Sequence, residues 1–277
     1  MAYASLMVHM DIDQPNEARL KAAENLAKRL GPPAIIGIAA CDQSPPPYFG
    51  DTAFVHKLVE EERARLTQRM AVLKDDFQQA MAGHAKAIEW RCALTSPVDY
   101  VVRHARAADL IITGPSNEAL LVDPFRYLDA STLILQAGRP VLIVPPMVEW
   151  LDLKAVLVAW KDTREARRAV LDALPLLRAA QEVLVVEVLE GGLEEKIARG
   201  RVDDVANWLG RHGVNAATRI ATPFEGIGDQ LDTIAGDIGA GLIVTGAYGH
   251  NRLREWVFGG VTETLLRPLH RCVLLSH

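Results

Sequence analysis

The residues best suited to chemistry in this sequence are glycines near its end: Gly246, Gly249, Gly259 and Gly260. They follow an apolar run at residues 242–244, and residues 261–266, starting at Val261, have the composition of a helix start. Glycine lets a backbone approach a phosphate without a Cβ in the way, and the N–H groups at a helix N-terminus attract anions. The spacing therefore predicts an anion-binding loop for which phosphate is the simplest ligand.

Residues 246–262, GAYGHNRLREWVFGGVT, closely resemble the nucleotide loop of the universal stress protein family, whose pattern is G-x-x-G, nine residues, then G-(S/T). Gly260 departs from this pattern, because the family has Ser or Thr there. The resemblance implies ATP, with or without Mg²⁺, as the ligand. It also implies the nucleotide-binding residues Thr245, Gly246, Gly249, Gly259, Gly260 and Val261.

A second part of the implied site follows the predicted strand at residues 155–160. The family places an aspartate at its end to contact adenosine, but this sequence has Lys161 there and Asp162 one step later. Lysine cannot accept a hydrogen bond. Asp162 is therefore the candidate acceptor, and the alternative is that Lys161 favours a more anionic or different ligand.

The chain contains an internal repeat. Three pairs of segments match: 108–114 (ADLIITG) with 240–246 (AGLIVTG), 139–142 (RPVL) with 271–274 (RCVL), and 17–19 with 165–167 (both Glu-Ala-Arg). The first two pairs share an offset of 132 residues, the difference between 114 and 246, whereas the third has an offset of 148. We therefore predict two tandem domains, 1–148 and 149–277, the first with extra residues in its middle.

Each copy alternates apolar runs with helical patterns, which predicts an α/β fold with a parallel sheet flanked by helices. Strands are predicted at residues 4–10, 34–40, 88–93, 109–113, 140–144, 155–160, 183–188, 215–220, 242–245 and 272–275. Helices are predicted at 17–30, 52–82, 97–107, 164–180, 194–212 and 224–238, with a further one starting at Val261. The resemblance implies five strands per domain in the order 3-2-1-4-5, with fifth strands pairing across a homodimer or a tandem pseudo-dimer.

The first copy lacks the glycine loop. Asp11 stands where the adenosine aspartate belongs, but Asn117 replaces the second glycine, and Tyr127 and Leu128 stand at the offset positions of the last two. Pro115 also removes a backbone donor. We expect the Tyr127 and Leu128 side chains to fill the phosphate space. The first copy is thus predicted to be a degenerate structural partner.

Composition excludes several classes of function. The formal net charge is −5, so the protein has no overall positive charge that would attract nucleic acid. No apolar run approaches the length of a membrane span. The first residues lack the basic region of a secretory signal. Three sparse cysteines without a Cys-x-x-Cys pair indicate a reducing compartment, hence a cytoplasmic protein. The eight histidines show no metal-binding spacing.

These observations predict a stress-response protein that binds ATP or senses another small anionic ligand in its C-terminal domain, with no assigned catalytic residue. Two alternatives stay open. One is a slow ATP hydrolase, for which Asp162 is the carboxylate beside the loop. The other is a ligand-free structural or dimerisation protein of the same fold, which the departures at Lys161 and Gly260 would suit.

Overall fold

A computed structural model of the chain describes residues 2–43, 52–116, 123, 125–189, 194–224, 226–248 and 271–277. Strands within these ranges are β1 Ser5–His9, β2 Ala34–Cys41, β3 Ala87–Leu94, β4 Leu110–Thr113, β5 Val141–Ile143, β6 Ala155–Ala159, β7 Glu182–Val188, β8 Ala216–Ala221, β9 Leu242–Gly246 and β10 Cys272–Ser276. Helices are α1 Glu17–Leu30, α2 Thr52–Met81, α3 Pro97–His104, α4 Ala130–Gln136, α5 Arg164–Asp172, α6 Leu174–Ala179, α7 Glu195–Arg211 and α8 Ile227–Asp237. A short 3₁₀ helix, Ala105–Ala107, follows α3.

The strands form one sheet in the order β3-β2-β1-β4-β5-β10-β9-β6-β7-β8. We call β1–β5 with their helices the first half, and β6–β10 with theirs the second half. Each half has the order 3-2-1-4-5, as predicted, and all pairs within a half are parallel. The described residues therefore confirm the α/β class and the strand order.

The two halves meet at an antiparallel pair between β5 and β10. Leu142 lies opposite Leu274, and these residues are equivalent in the repeat because they differ by the offset of 132. The flanking pairs are Val273 with Ile143 and Leu275 with Val141. Val273 and Leu275 are the repeat equivalents of Val141 and Ile143, so the same pairs form when the two strands exchange places. The seam thus has the geometry of a two-fold interface.

The apolar runs form strands because helices cover both faces of the sheet, as parallel sheets require. One hydrophobic cluster lies under α1, α2, α5 and α7, and a second lies under α3, α4 and α8. Both clusters contain residues from both halves. The two halves consequently share their cores across the seam.

Three helices differ from the sequence prediction. The single helix expected at 164–180 is two helices, α5 and α6, because Pro175 has no N–H and its ring opposes a continuous helix. The short α4 was not predicted; it is capped by Asp129. The helix α8 begins at Ile227 instead of 224, after Gly226. The helix expected from Val261 lies outside the described residues.

Candidate functional site

The carboxyl ends of β6 and β9 are neighbours in the second half. Their register pairs Ala159 with Thr245, so the loop that starts at Trp160 begins beside Gly246. Ligands of such sheets bind beyond the carboxyl ends of the strands. The structure therefore brings Thr245, Gly246 and the Asp162 loop to one edge, whereas Gly249, Gly259, Gly260 and Val261 lie outside the described residues.

Gly246 is in close contact with the first turn of α5. A Cβ built on Gly246 would lie 2.5 Å from the Ala166 nitrogen and 2.6 Å from the Glu165 carbonyl carbon. Both distances are shorter than any van der Waals contact, and the atoms are backbone. Gly246 thus has a packing role whether or not a ligand binds: it lets a helix N-terminus approach the end of β9.

Thr163 caps α5, since its hydroxyl accepts a hydrogen bond from the Ala166 N–H at 3.3 Å. Asp162, which precedes this cap, forms an ion pair with Arg167 at 2.5 Å. Both side chains of that pair are exposed to solvent. Asp162 would have to leave Arg167, or share its carboxylate with a ligand, to serve as the acceptor that Lys161 cannot be.

Sequence reasoning missed Glu165, the most deeply buried acid at this edge. Its side chain is only 2% exposed, and one carboxylate oxygen, Oε1, accepts a hydrogen bond from Arg164 Nε at 2.5 Å. Burial alone would raise the pKa of Glu165, but the Arg164 guanidinium at Oε1, together with the nearby Glu165 N–H and Thr163 hydroxyl, outweighs burial and lowers this pKa. The carboxylate is therefore ionised at neutral pH. Glutamate is common in the first turn of helices, so its position in the sequence did not indicate that this side chain is buried.

The chain leaves β9 through an unusual backbone conformation. Tyr248 has φ of +57°, a left-handed value that aromatic residues seldom adopt. The preceding residue, Ala247, is held to β10 by its N–H, which donates to the Ser276 carbonyl at 2.8 Å. Residues held in such conformations cluster at ligand sites and turns. This one stands at the entry to the glycine-rich segment.

The corresponding edge of the first half is occupied by its own side chains. Asp11 Oδ1 accepts hydrogen bonds from the N–H groups of Asp13 and Gln14, each at 2.9 Å. The Asp11 N–H in turn donates to Asn16 Oδ1 at 2.8 Å. Asp11 therefore closes its own loop as a turn residue.

The start of α4, which follows β4, is also filled. Asp129 accepts hydrogen bonds from the N–H groups of Ser131 at 3.1 Å and Thr132 at 3.2 Å. A protein carboxylate thus neutralises the donors of this helix start. Leu128 is buried in the hydrophobic cluster and Tyr127 is half-buried, whereas Asn117 lies outside the described residues.

The structure adds three findings on groups that sequence analysis considered. Among the described residues, no cluster of His, Cys, Asp or Glu side chains has the arrangement of a metal site. All three cysteines are free thiols, and burial raises the pKa of Cys41 to about 11 and that of Cys272 to about 12. In the part of the chain that the structure describes, every helix is too short or too polar to cross a membrane.

Solved structures with the same fold cover the full length of this chain. A universal stress protein from Archaeoglobus fulgidus is 16% identical, with a TM-score of 0.69 over 98% of this chain and 95% of its own. A putative universal stress protein from Pseudomonas aeruginosa is 17% identical, with a TM-score of 0.59 over 99% and 93%. A functionally unknown protein from the same organism is 16% identical, with a TM-score of 0.60 over 99% and 92%.

No family model matches the sequence, and no curated protein matches it either. The resemblance to universal stress proteins is confirmed by structure, at the level of the fold. At these identities, the comparison leaves the ligand to be argued from the site itself.

Proposed function

We propose that this chain, which has the universal stress protein fold in two tandem copies, is a stress-response protein that binds ATP or a related nucleotide in its second half. One observation carries the proposal: the carboxyl ends of β6 and β9 lie side by side, and Gly246 there opens the glycine-rich segment of the sequence. Backbone N–H groups of such a segment suit phosphate oxygens. Thr245, Gly246, Gly249, Gly259, Gly260 and Val261 are the proposed nucleotide-binding residues, with Asp162 at the rim.

The proposed site is asymmetric between the halves. Asp11 and Asp129 satisfy the donors of the first half, so that half serves as a structural partner. The two-fold register of β5 and β10 supports an intramolecular pseudo-dimer in which the halves take the place of two subunits. The free thiols support a reducing, cytoplasmic location.

The test is to denature freshly purified protein and identify any released small molecule by mass spectrometry, alongside thermal shift with millimolar ATP and Mg²⁺. Released ATP, or a rise in Tm with ATP, supports binding. ADP release together with measurable turnover would favour the slow hydrolase. An empty protein with an unchanged Tm would leave the ligand-free structural protein as the better account.

The Gly259→Trp variant is the matched control for the sequence-assigned loop. We expect it to abolish the ATP-dependent rise in Tm while leaving the Tm without ligand nearly unchanged. An equal rise in Tm for this variant would exclude the glycine-rich segment from the site.

A further inference from the structure

Among the deeply buried polar atoms of the second half that have no hydrogen-bond partner in the described part of the chain, two lie on residues next to Gly246. They are Glu165 Oε2, on a side chain 2% exposed, and Trp160 Nε1, on a residue 8% exposed. Native proteins rarely leave such atoms unpaired, and each unpaired atom points to a missing water, ion or ligand group. One of these atoms accepts a hydrogen bond, and the other donates one.

Glu165 and Trp160 are both neighbours of Gly246 in the fold. The Cβ position of Gly246 lies 2.9 Å from Glu165 Cβ, so Glu165 packs directly against the end of β9. Trp160 follows Ala159, which pairs with Thr245, so continuing the register by one residue places the Trp160 backbone beside Gly246. Its side chain belongs to the hydrophobic cluster under α5, the helix that carries Glu165. Neighbouring strands lie about 4.8 Å apart. The residues that carry the acceptor and the donor are thus neighbours of one glycine, on the face of the sheet that α5 covers.

The first half shows no counterpart to this arrangement. Glu17, which matches Glu165 in the repeat, is exposed to solvent, and Met10 follows β1 at the position where Trp160 follows β6. A Cβ built on Gly114, the equivalent of Gly246, would lie 3.8 Å from the guanidinium carbon of Arg19. The donor and acceptor pair therefore belongs to the half that keeps the glycine loop.

We propose that Glu165 and Trp160 form a subsite for a hydroxyl group, which accepts from the indole N–H and donates to the carboxylate. The inference rests on the proposed nucleotide function, in which a ribose hydroxyl is the group bound. Glu165 then supplies the hydrogen-bond acceptor. Lys161 cannot accept a hydrogen bond, and the Asp162 carboxylate is already paired with Arg167. Glu165 and Trp160 thereby determine which sugar the site accepts.

The test is isothermal titration calorimetry of the full chain with ATP and with 2′,3′-dideoxy-ATP, using wild-type protein, Glu165→Gln and Trp160→Phe. Wild type should bind ATP about tenfold more tightly or better, because a hydrogen bond to a charged group is lost with the dideoxy ligand. Both variants should weaken ATP to the level of the dideoxy ligand while leaving the dideoxy ligand unchanged. Glu17→Gln, at the matching position of the first half, should keep the wild-type preference.

A second readout does not depend on affinity. The indole N–H resonance of Trp160, assigned by its loss in Trp160→Phe, should shift on addition of ATP and much less with dideoxy-ATP. Near-ultraviolet circular dichroism of each variant identifies any that fails to fold.

Three results would overturn the subsite. Equal wild-type affinity for the two nucleotides, or a Glu165→Gln variant that keeps the preference, would remove it while nucleotide binding stands. Absence of binding by either nucleotide to folded wild type would instead remove the proposed function, and the subsite with it.

Discussion

At the scale of single residues, Gly246 links packing to the proposed site. Its missing side chain allows the first turn of α5 to lie against the end of β9, and this contact is what buries Glu165. A side chain at this position would meet backbone atoms, which cannot rotate away. The same glycine therefore sets both the helix position and the width of the ligand edge.

We predict that Gly246→Ala destabilises the protein by about 1–3 kcal/mol, the usual cost of overpacking a well-packed position. Gly114→Ala is the matched control, since its Cβ would lie at an ordinary 3.8 Å from Arg19. Urea unfolding with an unchanged m value measures both. Equal destabilisation by the two variants would contradict the packing argument.

His9 is a buried group with a predictable effect on acid stability. Its Nδ1 lies 3.0 Å from the Thr113 hydroxyl oxygen and 3.5 Å from Arg19 Nη1. Burial, and secondarily the positive charge of Arg19, lowers the pKa of His9 from 6.5 to about 3. His9 is therefore neutral in the folded protein throughout the physiological range.

Because the unfolded chain protonates His9 below pH 6.5 and the folded chain does not, its contribution to stability is complete above pH 6.5. That contribution falls toward pH 3, by at most about 1.4 kcal/mol per pH unit. His9→Asn should flatten the decline in unfolding free energy between pH 6.5 and 4.5, measured by urea titration. The exposed His56→Asn variant should keep the wild-type slope, and a His9→Asn slope equal to wild type would refute the linkage.

The sequence could predict the site only where the residue type and its spacing indicate a role. The glycine spacing and the departure at Lys161 can be recognised from the sequence without a structure. Glu165 is not, because its burial depends on the absence of a side chain at Gly246, some eighty residues away in the chain. The sequence favours Asp162 as the acceptor because it follows Lys161 directly, but its ion pair with Arg167 depends on the orientation of a helical turn, which the sequence does not give.

At the scale of elements, α5 connects the proposed site to the seam between the halves. Its first turn carries Glu165, and its last residue, Asp172, contacts both halves. The Tyr3 hydroxyl donates to the Asp172 carbonyl at 2.7 Å, and the Ser276 hydroxyl donates to Asp172 Oδ2 at 2.9 Å. Arg168 adds a donor to the Gly138 carbonyl at 2.9 Å. Any ligand that shifts α5 would act on these contacts.

We predict that Tyr3→Phe lowers the free energy of unfolding by about 1–2 kcal/mol, because it leaves a carbonyl at the end of α5 without its donor. Tyr100→Phe, on α3, is the control, since the Tyr100 ring contacts His104 of the same helix instead of the seam. Thermal or urea unfolding measures both variants. A loss in Tyr3→Phe no larger than in the control would show that this bond contributes nothing to the seam.

Element prediction succeeded where apolar runs are bounded by turn residues. The bounds of α1 agree with the structure, and the strand bounds differ by one residue or so, since Gly-Pro-Pro and Gly-Arg-Pro segments end the patterns sharply. The break between α5 and α6 was missed because the apolar spacing continues through Pro175. The seven-residue α4 is too short to show a helical period.

At the scale of the whole molecule, each of the two hydrophobic clusters contains buried residues from both halves. Leu274 is fully buried at the seam, opposite Leu142, and belongs to a cluster that also contains Leu6 and Val156. Neither half can expose its fifth strand without opening the core of the other. The sequence repeat predicts two domains, but a repeat in the sequence does not indicate how much of their hydrophobic core the two domains share.

We predict that Leu274→Ala destabilises both halves together, by about 2–5 kcal/mol, as large-to-small changes in a core do. Hydrogen exchange with mass spectrometry across a urea series should show peptides of β1 and β7 losing protection at the same concentration. Leu171→Ala, at a half-exposed site on α5, should change stability by less than about 0.5 kcal/mol. Separate transitions for the two peptides would contradict the shared core.

The two-fold register at Leu142 and Leu274 has a consequence for how such a molecule can diverge. In a dimer of identical subunits every substitution appears twice, so a site cannot be lost on one side alone. Covalent tandem linkage removes that constraint while keeping the same seam. In this chain the two halves do differ: Asp11 and Asp129 are internal caps in the first half, whereas the second half carries the glycines.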